Sequence, residues 1–404
     1  MTIGLDDIRS AAAALAGDLA VTPTIPSPRL SEQTGCRIHL KLECLHHTGS
    51  FKERGALNKL KSLSAAEAAQ GVIAMSAGNH AQGVAYHSTR LGIPATIVMP
   101  AQTPFTKVER TESYGARVVL HGDTLSDAEA FAHGIADRDG LTFVHPYDDP
   151  LIIAGQGTIA LEMLDAVPDL DVLVVPVGGG GLIAGIATAA KAIKPGIEIV
   201  GVEAELYPSM KQTLAGTPVS CAGATIADGI AVKSPGHITR EIIRNHVDDI
   251  VLVSEECLER VIDTLITEQK LVVEGAGAAG FAAILADQPR FRGRNVGTVL
   301  CGGNIDARIL ASILMRGLVR QRRMVRLRIA LTDAPGALAK VAQFLGEAGG
   351  NIVEIYHRRL FHNVPVKMAD IDVVMETRDH GHVDAILAKL HAAGYPAELM
   401  DDVS

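Results

Sequence analysis

The sequence predicts a large α/β region followed by a small α+β domain of ferredoxin-like order. Three observations predict it. Short, continuous apolar runs recur between helix-like stretches from about residue 70 to residue 300. Runs that are apolar on both faces belong to parallel strands covered by helices. Glycine is abundant, at 40 residues, and much of it clusters directly after those runs, where strand-to-helix turns must be tight. Near residue 326 the pattern switches to strict apolar/polar alternation, the mark of half-buried strands.

In chain order, Val72-Ile73-Ala74-Met75 reads as a buried strand and Ala81 to Arg90 as the helix behind it. Ala95 to Met99 and Arg117 to Leu120 repeat the strand signal; Val172 to Val175, Ile199 to Val202 and Val296 to Leu300 complete the series. In sheets of this kind ligands bind at the carboxyl ends of the strands. Further on, Leu327, Ile329 and Leu331 alternate with Arg326, Arg328 and Ala330. Asp333-Ala334-Pro335-Gly336 opens a helix running to about Gly349. Ile371, Val373 and Met375 then alternate with Asp370, Asp372 and Val374, and Val383, Ile386, Leu387 and Leu390 mark an amphipathic helix. The resulting order is βαββαβ. The Arg-rich piece from Arg316 to Arg328 reads as a solvated linker or interface, with the boundary at 318 to 326. The large region is therefore expected at 1–320, with a smaller lobe at about 45–145, and the small domain at 326–404.

Composition excludes several classes of function. The chain has 404 residues, enough for two or three domains, and 48% hydrophobic against 21% charged residues supports a large core. A net charge of -9 and the lack of a long basic tract argue against a nucleic-acid partner. Cys36, Cys44, Cys221, Cys257 and Cys301 are scattered, with no Cys-x-x-Cys pair; neither a disulfide framework nor a zinc site is expected, and a reducing cytoplasm fits. Asp6, Asp7 and Asp18 are out of place in a secretory signal. No apolar run approaches the roughly 20 residues that span a bilayer.

Four places combine residues that carry chemistry. Lys52 lies in Ser50-Phe51-Lys52-Glu53-Arg54-Gly55-Ala56. Lysine forms a Schiff base with pyridoxal phosphate, although Lys-Glu-Arg is also ordinary on a solvated helix. Ser76-Ala77-Gly78-Asn79-His80 joins a strand to a helix, where free backbone N–H groups suit a carboxylate; helix capping by Ser76 or Asn79 is the plain alternative. Gly178-Gly179-Gly180-Gly181-Leu182 follows a strand and precedes a helix. Successive exposed N–H groups and the helix dipole make it a phosphate cup, unless it is only a flexible turn. It lacks the spacing of the dinucleotide fingerprint and the Gly-Lys-Ser/Thr ending of an ATP loop. Cys301-Gly302-Gly303-Asn304 ends the last strand, and a buried thiol there is either inert core or a ligand contact.

Joined in this order, the four places resemble the fold-type II pyridoxal-phosphate enzymes, in particular the threonine dehydratase (threonine ammonia-lyase) family. His145-Pro146-Tyr147-Asp148-Asp149-Pro150, Ile153-Ala154-Gly155-Gln156-Gly157-Thr158 and Ile226-Ala227-Asp228-Gly229 extend the resemblance over nearly the whole large region. The C-terminal domain resembles an ACT regulatory domain, a module that binds amino acids across a dimer. The resemblance implies a two-lobed fold like the tryptophan synthase β chain. It implies a cofactor bound through Lys52, with Phe51 beside its ring, Asn79 on its hydroxyl, Gly178 to Leu182 on its phosphate and Cys301 facing its nitrogen. Ser76, Asn79 and His80 would surround the substrate carboxylate, and Glu274 would lie near the ring. Threonine would yield 2-oxobutanoate and ammonia, with serine and 3-hydroxyaspartate as rival substrates. Isoleucine or valine would act through Gly336 and Asn351, in a cytoplasmic homodimer or homotetramer serving isoleucine biosynthesis.

Two departures narrow the reading. Serine racemases of this fold carry a second serine where Ala77 stands, so racemisation lacks one of its bases. Glu203 matches one carboxylate of the family's divalent-cation pair, but Ser209 occupies the other position; no metal site is expected, although a monovalent ion stays open. A non-catalytic amino-acid sensor is the rival of a different class, and an intact Lys52, glycine loop and Cys301 oppose it.

Overall fold

A computed structural model describes residues 3–358, 365 and 367–400. The chain divides into two compact units, Met1–Ile305 and Asp306–Ser404. The first contains strands β1 (Thr24–Pro26), β2 (Arg37–Lys41), β3 (Val72–Met75), β4 (Ala95–Met99), β5 (Arg117–Leu120), β6 (Thr142–Phe143), β7 (Val172–Pro176), β8 (Glu198–Ala204), β9 (Asp249–Val253) and β10 (Asn295–Val299).

These strands form two sheets. The smaller runs β5-β4-β3-β6 and is parallel throughout. The larger runs β1-β2-β10-β7-β8-β9 and is parallel except for β1, which lies antiparallel to β2. All strands of the smaller sheet fall between residues 72 and 143. The chain thus leaves the larger sheet after β2, builds the smaller one, and returns at β7. Every residue of β3, β7 and β10 is buried, which is why these segments read as unbroken apolar runs.

Small differences from the sequence expectation have local causes. The helix behind β3 starts at Asn79, two residues early, because Gly78 takes the N-cap position. Strand β10 ends at Val299, and Leu300 N–H still donates to the Lys41 carbonyl at 2.9 Å. Helices Lys52–Lys61, Pro150–Ala166 and Gly181–Ile193 meet through glycines. A Cβ on Gly155 would lie 2.7 Å from the Gly55 Cα, and one on Gly157 would lie 2.8 Å from the Gly185 carbonyl oxygen. Backbone therefore rests on backbone at these crossings. None of the five cysteines is in a disulfide.

The second unit contains helix Ala307–Arg320, strands β11 (Met324–Thr332), β12 (Asn351–Arg358), β13 (Met368–Glu376) and β14 (Ala397–Leu399), and helices Ala337–Glu347 and His380–Ala392. Its antiparallel sheet has the order β12-β13-β11-β14, as ferredoxin-like connectivity requires. Leu327, Ile329, Leu331, Ile371 and Val373 form one core with Val341, Leu345, Val383 and Ile386. The Arg-rich stretch is regular structure rather than an extended linker, although Arg316 and Arg323 stay exposed. A helix holds it to Arg320, β11 begins at Met324, and Arg326 and Arg328 both pair with the buried Asp372 carboxylate, at 2.7 and 2.8 Å. The second compact unit begins at Asp306 and so includes helix Ala307–Arg320.

Candidate active site

Lys52 is the first residue of helix Lys52–Lys61, and the loop before it is tied to the end of β10. Phe51 N–H donates to the Cys301 carbonyl at 3.0 Å, and Ser50 bridges to Gly302. The Lys52 ammonium donates to the Pro146 carbonyl at 2.8 Å and lies 5.1 Å from the centre of the Phe51 ring. Burial pushes its pKa down to about 8, against the pull of Cys301 and Glu274. An amine tuned in this way has a substantial neutral fraction near neutral pH.

The Glu-Arg that follows Lys52 is not a solvated face. Glu53 and Arg54 are both buried. Arg54 binds Glu43 through Nε and Nη2 at 2.7 and 2.8 Å, and Glu162 through Nη1 and Nη2 at 2.6 and 2.7 Å. Glu53 pairs with His87 at 3.0 Å. Burial opposes the Glu43 charge, yet Arg54 and His46 hold its carboxyl well below the usual range. The buried Arg54–carboxylate pairs and the Glu53–His87 hydrogen bond thus pin the first turn of the lysine's helix.

The loop after β3 lies beside this turn. Ser76 Oγ accepts from Gly78 N–H at 3.1 Å. The Asn79 side-chain amide donates to Glu274 at 2.7 Å, and its oxygen accepts from Asn304 Nδ2 at 2.8 Å. The first turn of helix Asn79–Leu91 leaves N–H groups without partners inside the helix, a setting for an anion. His80 departs from expectation. Its ring is buried, its Nε2 donates to the Val144 carbonyl at 2.9 Å, and burial together with Lys52 drives its pKa down to about 3. Only the His80 backbone remains for a carboxylate.

The glycine loop follows β7. Gly180 has φ +97°, a left-handed conformation that favours glycine, and caps helix Gly181–Ile193. A Cβ on Gly179 would fall 2.3 Å from the Tyr147 ring, and one on Gly181 would fall 2.9 Å from the Tyr147 carbonyl oxygen. Gly178 is walled by Ile230, whose Cα would be 3.1 Å from an added Cβ, and Leu182 is buried behind the loop. Backbone N–H groups before a helix, with no Cβ on any of four successive residues, fit a phosphate.

Cys301 is buried, and burial reinforced by Glu274 pushes its thiol well above its ordinary range. Burial and Asp228 push Glu274 up to about 7. Gly302 must lack a side chain, because a Cβ there would lie 2.2 Å from Glu274 Oε1. Lys107 pairs with Asp228 at 2.7 Å and Arg110 donates to Asn304 at 3.0 Å. Asn79, the glycine loop and Cys301 follow the carboxyl ends of β3, β7 and β10, Lys52 is tied to the end of β10 through Phe51, and Pro146, Tyr147, Glu274 and Asn304 link them. Sequence reasoning assigned no role to Tyr147 or Asn304; their signal was the His145–Pro150 run and the last residue of Cys301-Gly302-Gly303-Asn304.

The other expected sites stand apart. Both Glu203 oxygens accept from the start of helix Ser209–Leu214, from Met210 N–H at 2.8 Å and Lys211 N–H at 3.0 Å, and burial pushes Glu203 up to about 7. Among the described residues no group of three or more His, Cys, Asp or Glu could hold a metal ion. Likewise, no helix among them is long and apolar enough to cross a membrane. In the second unit, Gly336 (φ +85°) precedes helix Ala337–Glu347, whereas Asn351 follows it and donates to Glu376 at 2.8 Å. The two residues flank a helix of 11 residues, about 16 Å long, so one chain does not bring them together.

Comparison with known proteins places this arrangement. Residues 15–302 match the family model described as "Pyridoxal-phosphate dependent enzyme", and residues 325–394 match the ACT domain. The chain is 44% identical over 400 residues to a Thermotoga maritima protein named L-threonine ammonia-lyase, covering 98% of this chain and 100% of that one. It is 45% identical over 310 residues to the Escherichia coli K12 "L-threonine dehydratase catabolic TdcB", covering 76% of this chain and 94% of that one. Among solved structures, maize serine racemase matches with a TM-score of 0.74 at 33% identity, covering 79% of this chain and 99% of that one.

Proposed function

Because this chain belongs to the pyridoxal-phosphate dependent enzymes and carries an ACT domain, we propose that it is a threonine ammonia-lyase whose turnover is set by an amino acid bound at the ACT domain. L-Threonine loses its Cα proton and β-hydroxyl; the enamine released takes up water and gives 2-oxobutanoate and ammonia. Serine, losing the same groups, gives pyruvate.

The reading is supported by the contacts that link Lys52 to the Cys301 end of β10 through Phe51 and to the glycine loop through the Pro146–Tyr147 segment. The donor set fits the cofactor at each of its ends. Lys52 would hold the aldehyde end, the Gly178–Leu182 cradle would hold the phosphate, Asn79 would serve the ring hydroxyl, and Cys301 would face the ring nitrogen. Bound there, pyridoxal phosphate supplies an electron sink for the pair left on Cα. Lys52, with its pKa near 8, accepts the Cα proton. Cys301 stays protonated and adds no charge at the ring nitrogen. The substrate carboxylate sits on the backbone N–H groups at the start of helix Asn79–Leu91, with Ser76 beside it. The His80 ring is bonded elsewhere and takes no proton near neutral pH. Ala77 offers no second base across from Lys52, which favours elimination over inversion.

Lys52→Ala tests the reading. Formation of 2-oxo acid from threonine is expected to fall by about a thousandfold or more. The borohydride-sensitive visible absorption of the purified protein should vanish with it. Substantial threonine turnover in that variant would overturn the mechanism.

A further inference from the structure

One short segment touches both ends of the cofactor site. His145 to Asp149 runs from β6 to helix Pro150–Ala166. Its Pro146 carbonyl holds the Lys52 ammonium at 2.8 Å. Its Tyr147 ring covers Gly179, and the Tyr147 hydroxyl donates to the Ser234 carbonyl at 2.8 Å. His145 Nδ1 accepts the N–H groups of Tyr147 and Asp148, at 3.2 and 2.8 Å, and so shapes the turn. Asp148 then reaches a distant helix. Its carboxylate accepts from His237 N–H at 2.8 Å, Ile238 N–H at 2.9 Å and Thr239 N–H at 3.1 Å. These groups open helix His237–His246, whose own N-cap residue, Gly236, has no side chain to offer. A Cβ on Gly236 would lie 2.3 Å from Asp148 Oδ1, so glycine is what admits the carboxylate. The same helix start returns to the cradle: the buried Thr239 hydroxyl donates to the Gly179 carbonyl at 2.7 Å, and Gly236 N–H donates to it at 3.3 Å.

From this closed circuit we propose that Asp148 is a positioning residue that holds the phosphate cradle in register with Lys52. The Asp148 carboxylate is taken up by backbone N–H groups of helix His237–His246 and acts on the cradle through that helix. It fixes the start of helix His237–His246, which fixes the Gly179 carbonyl, which turns the N–H groups of the glycine loop toward the phosphate. Because Pro146 belongs to the same segment, one stretch of chain is tied both to the lysine and, through helix His237–His246, to the cradle. A carboxylate suits this place, since three N–H groups and the positive end of a helix converge on it.

The inference rests on the proposed placement of the cofactor, and its test separates the two. The full chain, freed of cofactor, is titrated with pyridoxal phosphate and with pyridoxal, which carries the aldehyde but no phosphate. Absence of a borohydride-sensitive band with either compound in the unsubstituted protein would refute the cofactor placement, whatever Asp148 does. Given binding, Asp148→Ala is expected to weaken pyridoxal phosphate roughly five- to thirtyfold, the usual reach of a lost helix cap, and to leave pyridoxal unchanged. Asp148→Asn keeps one acceptor oxygen and should fall between. Thr239→Val, equal in shape but without the hydroxyl, should weaken pyridoxal phosphate in the same selective way. The double variant should lose little more than the worse single one, because both act on one path. Equal weakening of both compounds, no weakening of either, or fully additive losses would overturn the proposal. Should Asp148→Ala fail to fold, Asp148→Asn and Thr239→Val make the same comparison.

Discussion

Ala77 and Glu203 show how single side chains select among the chemistries that one fold permits. A hydroxyl at position 77 would stand in the loop facing the substrate carboxylate, across from Lys52. Ala77→Ser is therefore expected to produce D-serine from L-serine, detectable by chiral chromatography; no D-isomer above the unsubstituted protein would refute the idea that Ala77 blocks racemisation. Glu203 is a matter of proton linkage. Its pKa is raised from 4.5 to about 7 by burial, so between those values the folded chain binds more protons than the unfolded one. Stability contributed by this group therefore falls as pH rises through that window, by at most about 1.4 kcal/mol per pH unit, and is flat above it. In urea titrations Glu203→Gln should gain on the parent protein steadily from pH 4.5 to 7 and no further beyond. A constant difference across that range would mean that Glu203 is already ionised when folded. Ala77 is legible in its loop motif, but the Glu203 shift is not written in the local sequence. Glu203 lies in an apolar run and reads as a carboxylate; its shift comes from what packs on it. His80 teaches the same lesson, because its neighbours Ser76 to Asn79 mark a loop, while its ring is claimed by the Val144 carbonyl 64 residues away.

Elements were legible where burial is symmetrical and obscure where long-range charge decides. β3, β7 and β10 announce themselves because both faces are covered, and the glycine loop because Gly180 is left-handed and Tyr147 leaves no room for a Cβ on Gly179 or Gly181. The end of the Arg316 to Arg328 stretch misleads, since Asp372, the partner of Arg326 and Arg328, arrives 46 residues after Arg326. Glu53 and Arg54 mislead for the same reason, with Glu43 and Glu162 hidden in other elements. Glycines within helices were read as family resemblance only, and the structure gives them a physical reason. At Gly155 an added Cβ meets the Gly55 Cα and the Arg54 carbonyl oxygen at 2.7 and 2.8 Å, backbone atoms that cannot step aside. Gly155→Ala should destabilise by about 1–3 kcal/mol in urea unfolding. Gly134, exposed within helix Leu125–Asp139, has nothing within 4 Å of an added Cβ. Gly134→Ala should stabilise by about 0.5–1 kcal/mol. Similar effects at the two sites would refute backbone contact as the cause.

At the scale of the molecule, turnover and response to an effector are expected to reside in different units. A chain ending at residue 320 should still make 2-oxobutanoate but no longer respond to isoleucine or valine. Steady-state rates with and without each amino acid check this, and a truncated chain that still responds would place the effector site in the first unit. The separation of Gly336 from Asn351 points the same way: residues held about 16 Å apart in one chain can close on one ligand only from two chains. The larger sheet carries a further consequence, which concerns time. β2 pairs with β10, so that Ile38 faces Val296, while the whole smaller sheet is encoded between them. At roughly 5–20 residues per second of synthesis, β2 is on hand for about ten to fifty seconds before its partner exists. The smaller sheet, complete by residue 143, can form in that interval. The newborn chain therefore holds one finished lobe, and the surface that will carry Lys52, while the wall that supplies Cys301 is still inside the ribosome.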